Sequence, residues 1–262
     1  MNGYSVRGLN WFNALSGGAK AVEGLPPSLK VADGELGRFI AVVADPDNRF
    51  PRARNGEVGL LEGWGLAKAV DDAITADCDK AQKRPLIAIV DVPSQAYGRR
   101  EEALGIHQAL AGAVDAYARA RLAGHPLIAL LVGKAMSGAF LAHGYQAQRL
   151  IALDDDGVMV HAMGKAAAAR ITLRSIEELE SLAATVPPMA YDIASYASLG
   201  LLWERIKVQS IEQPVAADIA RVNEVLARAV LDIGTSTDLR SRLGAPNRAM
   251  SSRVREQLRA QW

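Results

Sequence analysis

The stretch 127-LIALLVGKAMSGAFLAHG-144 decides how this chain is read. An apolar run without alternating polar residues is the pattern of a strand covered on both faces. The run stops at Gly133, passes through Lys134 and Met136, and sets Ser137, Gly138 and Ala139 side by side before a helical pattern begins. A buried strand that feeds a helix through small residues is the repeating unit of a parallel α/β sheet. The unit recurs upstream. The strand 86-LIAIVDV-92 leads through the loop 93-PSQAYGRR-100 into a helix expected over about 101–123, with Leu104, His107, Leu110, Val114 and Tyr117 on one face. Before it, 39-FIAVVAD-45 leads through a loop rich in charge, proline and glycine into a helix carrying Leu60, Leu61, Trp64, Ala67, Val70 and Ile74.

Downstream, 149-RLIAL-153 and 157-GVMVHAM-163 read as shorter strands, and a helix is expected from the SGA turn to about Gln148. Helical patterns then dominate, at roughly 175–184, 189–205, 214–232 and 247–260, with Pro187, Pro188, Pro214 and Pro246 near their boundaries. Residues 1–35 show no long periodic pattern and are expected to be irregular. The expectation is one α/β domain over 1–262 with a mainly helical region from about 175 onward.

Half of the 262 residues are hydrophobic and the net charge is only +1, so a large core is available and nothing electrostatic points to nucleic acid or an acidic membrane. Cys78 is the sole cysteine, which excludes an intramolecular disulfide framework. With four scattered histidines, no zinc-type spacing arises. The first residues hold no apolar core of signal-peptide length, and no apolar run approaches a membrane span; a soluble, cytoplasmic protein is expected.

The chemistry has to come from the turns. A helix N-terminus leaves backbone N–H groups without intrahelical partners. At the carboxyl end of a parallel strand they face the crevice where open α/β sheets bind ligands. A carbonyl oxygen set there can take on negative charge, and only small side chains let it reach the backbone. The same glycine and alanine also suit close helix–sheet packing, and the turn alone does not choose. Ser137 lacks the G-x-S-x-G context of a nucleophile elbow, His143 follows too closely to serve it as base, and a helix cap is its expected role. In the loop one unit earlier, Arg99 or Arg100 has the fork that pairs with a carboxylate, although solvation or neighbouring glutamates would also account for both. His107 falls on the apolar face of its helix and is expected in the core or an interface. Asp154, Asp155 and Asp156 read as a solvated turn rather than a metal cluster.

Two segments read together carry a family resemblance. One is 90-VDVPSQAYGRREEALGI-106; the other is 127-LIALLVGKAMSGAFLAHG-144 with 150-LIALDDDGVMVHAMG-164 behind it. Their order and spacing resemble the carboxyltransferase branch of the crotonase superfamily. There a strand ends near V-D-T-P-G-F-x-x-G-x-x-x-E-x-x-G-I, a later one leads to Y-G-G-A, and a stretch ending in V-M-G follows. Val90, Asp91, Pro93, Gly98, Glu102, Gly105 and Ile106 match the first pattern, Gly138 and Ala139 the second, and Met163 and Gly164 the third. Lys68 and Ala69 on the earlier helix are also similar, so the likeness covers roughly residues 38 to 170. Val92 to Gln95 give V-P-S-Q in place of T-P-G-F, and M-S-G-A stands for Y-G-G-A. With these variants the chain resembles the γ subunits of biotin-independent malonate decarboxylase.

The resemblance implies a crotonase-like fold of repeated ββα units and a heterodimer with a carboxyltransferase-like β subunit inside a larger complex. It also implies decarboxylation of a malonyl thioester on an acyl carrier protein, through an enolate. The substrate rides on a CoA-derived, phosphopantetheine-type arm, with neither biotin nor metal held by this chain. The amides of Gly138 and Ala139 are the expected oxyanion donors, with Ser137 shaping the turn and Ser94 and Gln95 contributing from the neighbouring loop. Gly98 and Arg99 are the expected substrate-binding residues. Two other readings stay open: half of a biotin-dependent acyl-CoA carboxyltransferase, and an assembly subunit whose partner supplies the catalytic groups.

Overall fold

The computed structural model describes residues 3–262. In chain order the elements are α1 Arg7–Leu15, β1 Leu29–Asp33, β2 Arg38–Val42, α2 Leu60–Ala76, β3 Leu86–Val92, α3 Arg99–Ala103, α4 Ile106–Leu122, β4 Leu127–Met136, α5 Ser137–Ala142, β5 Arg149–Leu153 and β6 Met159–His161. They continue with α6 Lys165–Thr172, α7 Ile176–Ala183, α8 Ile193–Ser198, β7 Glu204–Ile206, α9 Ala216–Ile233 and α10 Ala249–Gln261. Seven strands form one sheet in the order β1-β2-β3-β4-β5-β7, with β6 also on β4. All pairings are parallel except β1 with β2. The apolar runs are where the sequence places them, and every residue of β2 and β3 is buried.

The β1–β2 edge of the sheet is an antiparallel hairpin. Its hairpin register sets Asp33 opposite Arg38. The Arg38 guanidinium grips Asp33 through two 2.8 Å bonds and donates a third to the Ala69 carbonyl. That hydrogen-bonded cation holds the Asp33 carboxyl below its usual range against the opposing effect of burial.

Residues 1–35 are not irregular where described, since α1 and β1 lie within them. In α1 the buried residues Gly8, Trp11, Phe12 and Leu15 recur at helical spacing. Trp11 is fully buried and its indole N–H donates to the Ile211 carbonyl. The helix is locked to the sheet by Asp91 of β3, whose carboxylate accepts from the Gly8 amide and the Ser5 hydroxyl.

Asp91 also explains the bend in β4. The β3–β4 register shifts between Val90 and Val92, and the same carboxylate accepts the Lys134 amide at 3.1 Å. A Cβ on Gly133 would stand 2.1 Å from Asp91 Oδ1, so the matched V-D pair and this glycine require each other. At that bend β4 changes partner: residues 128–131 pair with β5 and 134–136 with β6. A split of this kind opens a crevice at the carboxyl edge of a sheet.

Several helices end earlier than their periodicity suggests. The one expected over 101–123 breaks at Gly105, whose φ of +83° few other residues adopt, giving α3 and α4. The one expected to Gln148 stops at Ala142. Gly144, at φ +110°, presses on Val90, where an added Cβ would meet Cγ2 at 2.8 Å. The stretch 189–205 is the short α8 followed by strand β7, separated by Gly200 at φ +68°. The buried face of α2 keeps Leu60, Ala67 and Val70 as expected, and that of α4 keeps Tyr117, but other positions depart. Trp64, Leu104 and His107 are exposed, and Ala109, Ala113, Ala116 and Ala120 pack inward. A Cβ on Gly63 would lie 2.7 Å from the Ala109 carbonyl, so α2 and α4 meet nearly backbone to backbone.

Candidate active site at the end of the fourth strand

The SGA turn stands at the carboxyl end of β4, where the crevice opens. Ser137 is the first residue of α5 and has φ +57°, a left-handed conformation that costs a non-glycine residue on the order of 1 kcal/mol. Its hydroxyl makes no hydrogen bond within the described residues, so the expected cap is not formed. The strain swings the next amide outward, and the Gly138 N–H donates to the Gln95 side-chain oxygen at 2.9 Å. Ala139 is fully buried behind it.

Gln95 is held by its own backbone. Flanking bonds from Val58 N–H to the Ser94 carbonyl (3.1 Å) and from Ala96 N–H to the Val58 carbonyl (2.9 Å) fix the loop after β3 against the loop before α2. The Ser94 hydroxyl donates to the Gln95 carbonyl at 2.9 Å. The glycine-bearing loop is set by Glu62, a fully buried carboxylate that accepts from Ser28, Asn48 and the Gly59 amide.

Ser137, Gly138, Ala139, Gln95 and Ser94 therefore come together, as the two matched turns imply. Gly98 and Arg99 do not join them. Gly98 precedes α3, where a Cβ would strike Glu101 Oε2 at 2.6 Å, and Arg99 is exposed. Arg100 lies over the Phe50 ring at 5.3 Å.

Ser137 and Gly138 form one wall of a cavity of about 440 Å³. The rest is mostly apolar, from Phe140, Leu141 and Val160 to Pro187 and Leu199, with Tyr145, His161 and Tyr196 as its polar members. Burial pushes the Tyr196 hydroxyl well above its usual range, and that oxygen has no partner among the described residues. His161 is displaced downward by burial, against the pull of the Met163 carbonyl. Neither residue stands out in the sequence; β6 is three residues long, and its bearing on the turn arises only from pairing with β4.

The other histidine near the turn is structural. His143 is fully buried, with Nε2 3.0 Å from the Ile89 carbonyl and Nδ1 3.2 Å from the Tyr117 hydroxyl. Burial lowers it to about 4, and the Ile89 carbonyl offsets this only in part. The Asp154–Asp156 turn is more than solvated: Asp155 accepts from Arg7 at 2.7 Å and from the Gly157 amide at 2.9 Å, tying α1 to the β5–β6 connection. Among the described residues no group of acidic, histidine or cysteine side chains is arranged to hold a metal ion, and no helix is long and apolar enough to cross a membrane.

A sheet parallel but for one edge hairpin, split at the carboxyl end of its central strand beside a cavity, is a crotonase-like α/β fold. At 20% identity, transcarboxylase 12S shares this fold with a TM-score of 0.62, over 88% of this chain and 40% of that one. Over residues 53–262 the sequence matches the family model described as malonate decarboxylase gamma subunit, and the chain belongs to that family. Two Pseudomonas structures agree along nearly the whole length. A malonate decarboxylase hetero-tetramer in complex with coenzyme A is 72% identical with a TM-score of 0.94, covering 98% of this chain and 99% of that one. An MdcD-MdcE hetero-dimer is 68% identical at 0.91, with the same coverage. The malonyl-S-ACP:biotin-protein carboxyltransferase MADD of Malonomonas rubra is 37% identical over 185 residues, which is 69% of this chain and 63% of that protein.

Proposed function

We propose that this chain is the γ half of a malonate decarboxylase. With a carboxyltransferase-like β partner, it converts a malonyl thioester on an acyl carrier protein to the acetyl thioester and carbon dioxide, as a carboxy-lyase active in the complex. The thioester sits on a CoA-derived arm in the cleft between the chains. Family membership and the decarboxylase assemblies among its relatives support the reaction.

One observation carries the site: the Gly138 amide points at an sp² oxygen, that of Gln95, 2.9 Å away. That oxygen stands where a thioester oxygen would. When the carboxyl group leaves, the bond pair moves toward the thioester and its oxygen gains charge. A backbone amide fixed there stabilises that charge without reorganising. In this reading the substrate displaces Gln95, Gly138 supplies a donor, Ala139 supports it from the helix, and Ser137 holds the strained geometry. Ser94 steadies the Gln95 loop. Gly98 and Arg99, outside the cavity wall, are proposed only to approach the distal part of the arm.

Gly138→Val tests the site. A Cβ there meets nothing closer than Gln95 Oε1 at 3.4 Å, so the backbone tolerates a Cβ, while the added side chain would hold the thioester away from the amide. The expected result is a loss of turnover by at least a hundredfold, in the range of losing one oxyanion donor, with heterodimer assembly intact. Wild-type turnover would leave an assembly role for this chain and remove the oxyanion assignment. The biotin-linked name of the Malonomonas relative supports a second reading, carboxyl transfer to a biotin protein. Avidin separates the two: decarboxylation unchanged in its presence supports the first, and inhibition overturns it.

A further inference from the structure

Decarboxylation consumes a proton, and the turn cannot supply it. Among the cavity residues only Ser137, Tyr145, His161 and Tyr196 bear transferable side-chain protons. An imidazolium is the strongest acid these side-chain types offer near neutral pH, and burial displaces the Tyr196 phenol further upward.

His161 is placed and held for the task. In the parallel β4–β6 register it lies opposite Met136, the residue before Ser137, so its ring stands one strand from the turn. Tyr191 stacks on it, ring centroids 3.9 Å apart and planes within 12°. Nδ1 lies 2.9 Å from the Met163 carbonyl, which also accepts the Tyr191 hydroxyl at 2.8 Å. The Met163 amide also points at this nitrogen, at 3.2 Å, so the backbone of Met163 engages Nδ1 in either tautomer. Nε2 has no hydrogen bond within the described residues and is left for a ligand in the cavity. An imidazole fixed by stacking and by one backbone carbonyl, with the other nitrogen free, is built like a general acid or base.

We propose that His161 is the general acid that protonates the enolate carbon once carbon dioxide has left; this rests on the decarboxylation reading above. The bond between the methylene and carboxyl carbons breaks, carbon dioxide departs, and the electron pair stays on the enolate. The imidazolium gives its Nε2 proton to the methylene carbon, forming the new C–H bond of the acetyl group. The ring returns to neutral imidazole on the Met163 carbonyl and regains a proton from solvent.

Several charged or titratable groups surround it. Tyr191 covers one face. Lys165 stands 5.5 Å over the Tyr191 ring and pairs with Glu180 at 2.7 Å. Asp192 bridges to Met159 of β6 and spends its carboxylate on the Ser195 amide. Lys134 on β4 is exposed, and Tyr145 and Tyr196 share the cavity. Burial disfavours imidazolium, against the pull of the Met163 carbonyl. The rate of protonation should rise as the pH falls through and below 6.5.

By microscopic reversibility, the group that delivers this proton removes one from the product. The test uses the assembled β–γ complex with malonyl and acetyl carrier-protein thioesters. Wild type should exchange the acetyl methyl hydrogens with D₂O. His161→Gln should slow that exchange and lower kcat by about a hundredfold or more, leave KM within about twofold, and flatten the rise of kcat at acid pH. Tyr191→Phe keeps the stack but frees the Met163 carbonyl, and should give a smaller loss with the pH profile retained. A His161→Gln complex with wild-type exchange and an unchanged pH profile would overturn the assignment. If that variant fails to assemble, a wild-type kcat that does not rise between about pH 7 and 5 would do the same. A wild-type complex that releases no carbon dioxide would overturn the decarboxylation reading, and this assignment with it. Loss of turnover in Gly138→Val alone would spare the reaction and reject His161.

Discussion

Gln95 is the residue on which the turn's behaviour hinges. In the family pattern a phenylalanine stands there, and only an acceptor side chain can satisfy the Gly138 amide. A hydrogen bond of this kind contributes about 1 kcal/mol net, so displacing it costs the substrate a few-fold in affinity. Gln95→Ala should therefore lower KM for the malonyl thioester by up to about fivefold. Gln95→Glu should raise it by about tenfold or more, because a carboxylate accepts roughly twice as strongly and repels the substrate's own carboxylate. Steady-state kinetics of the complex decide the point, and a KM unmoved by either change would reject the latch. The presence of both turns was legible in the sequence, from their small residues and spacing. Their mutual contact was not, since it depends on an isolated pairing of Val58 with Gln95 across two loops.

Among the elements, β3, α4 and α5 are joined where His143 bridges the Ile89 carbonyl and the Tyr117 hydroxyl. The neutral ring satisfies both by donating from Nε2 and accepting at Nδ1; a second proton would turn the Tyr117 hydroxyl into an acceptor and leave a positive charge in the core. His143 has a folded value near 4 against 6.5 for the model residue, so the unfolded chain binds the extra proton in that interval. Stability is then unaffected by this group above pH 6.5. It falls as the pH drops to 4, by roughly 3 kcal/mol in all. Urea unfolding across this range should show that slope, and His143→Asn should reduce it by about one proton relative to wild type. An equal slope in both chains would remove His143 from the account. The strands around this joint were readable because continuous apolar runs have few alternative fates. The helices were read less well. The buried face of α4 is mostly alanine beside Ile106 and Tyr117, so its larger apolar residues mark only part of that face. The helix end at Gly144 is set by close approach to β3 and β4, which a local pattern does not contain, and the break at Gly105 by its positive φ.

At the scale of the molecule, the chain builds half of an enclosure. Ser137 and Gly138 are only partly buried, and Leu141, on the cavity wall, is 50% exposed. Water therefore reaches the turn and weakens the field of its amide, because a charge contact loses most of its strength as the dielectric rises from protein-like to aqueous values. Loss of carbon dioxide also gains from removing water around the substrate carboxylate, which an open wall cannot do. A family whose Pseudomonas members are solved as hetero-dimers and hetero-tetramers has a second chain available to close that wall. The isolated chain should fold, since its core lies within its own sheet and helices, yet turn over malonyl thioester at less than about a hundredth of the rate of the complex. Titrating a β partner into it should restore activity to a plateau at equal stoichiometry, with circular dichroism of the free chain already native-like. Full activity of the free chain would mean that the cavity as it stands completes the site, and the proposed cleft between two subunits would have to be abandoned.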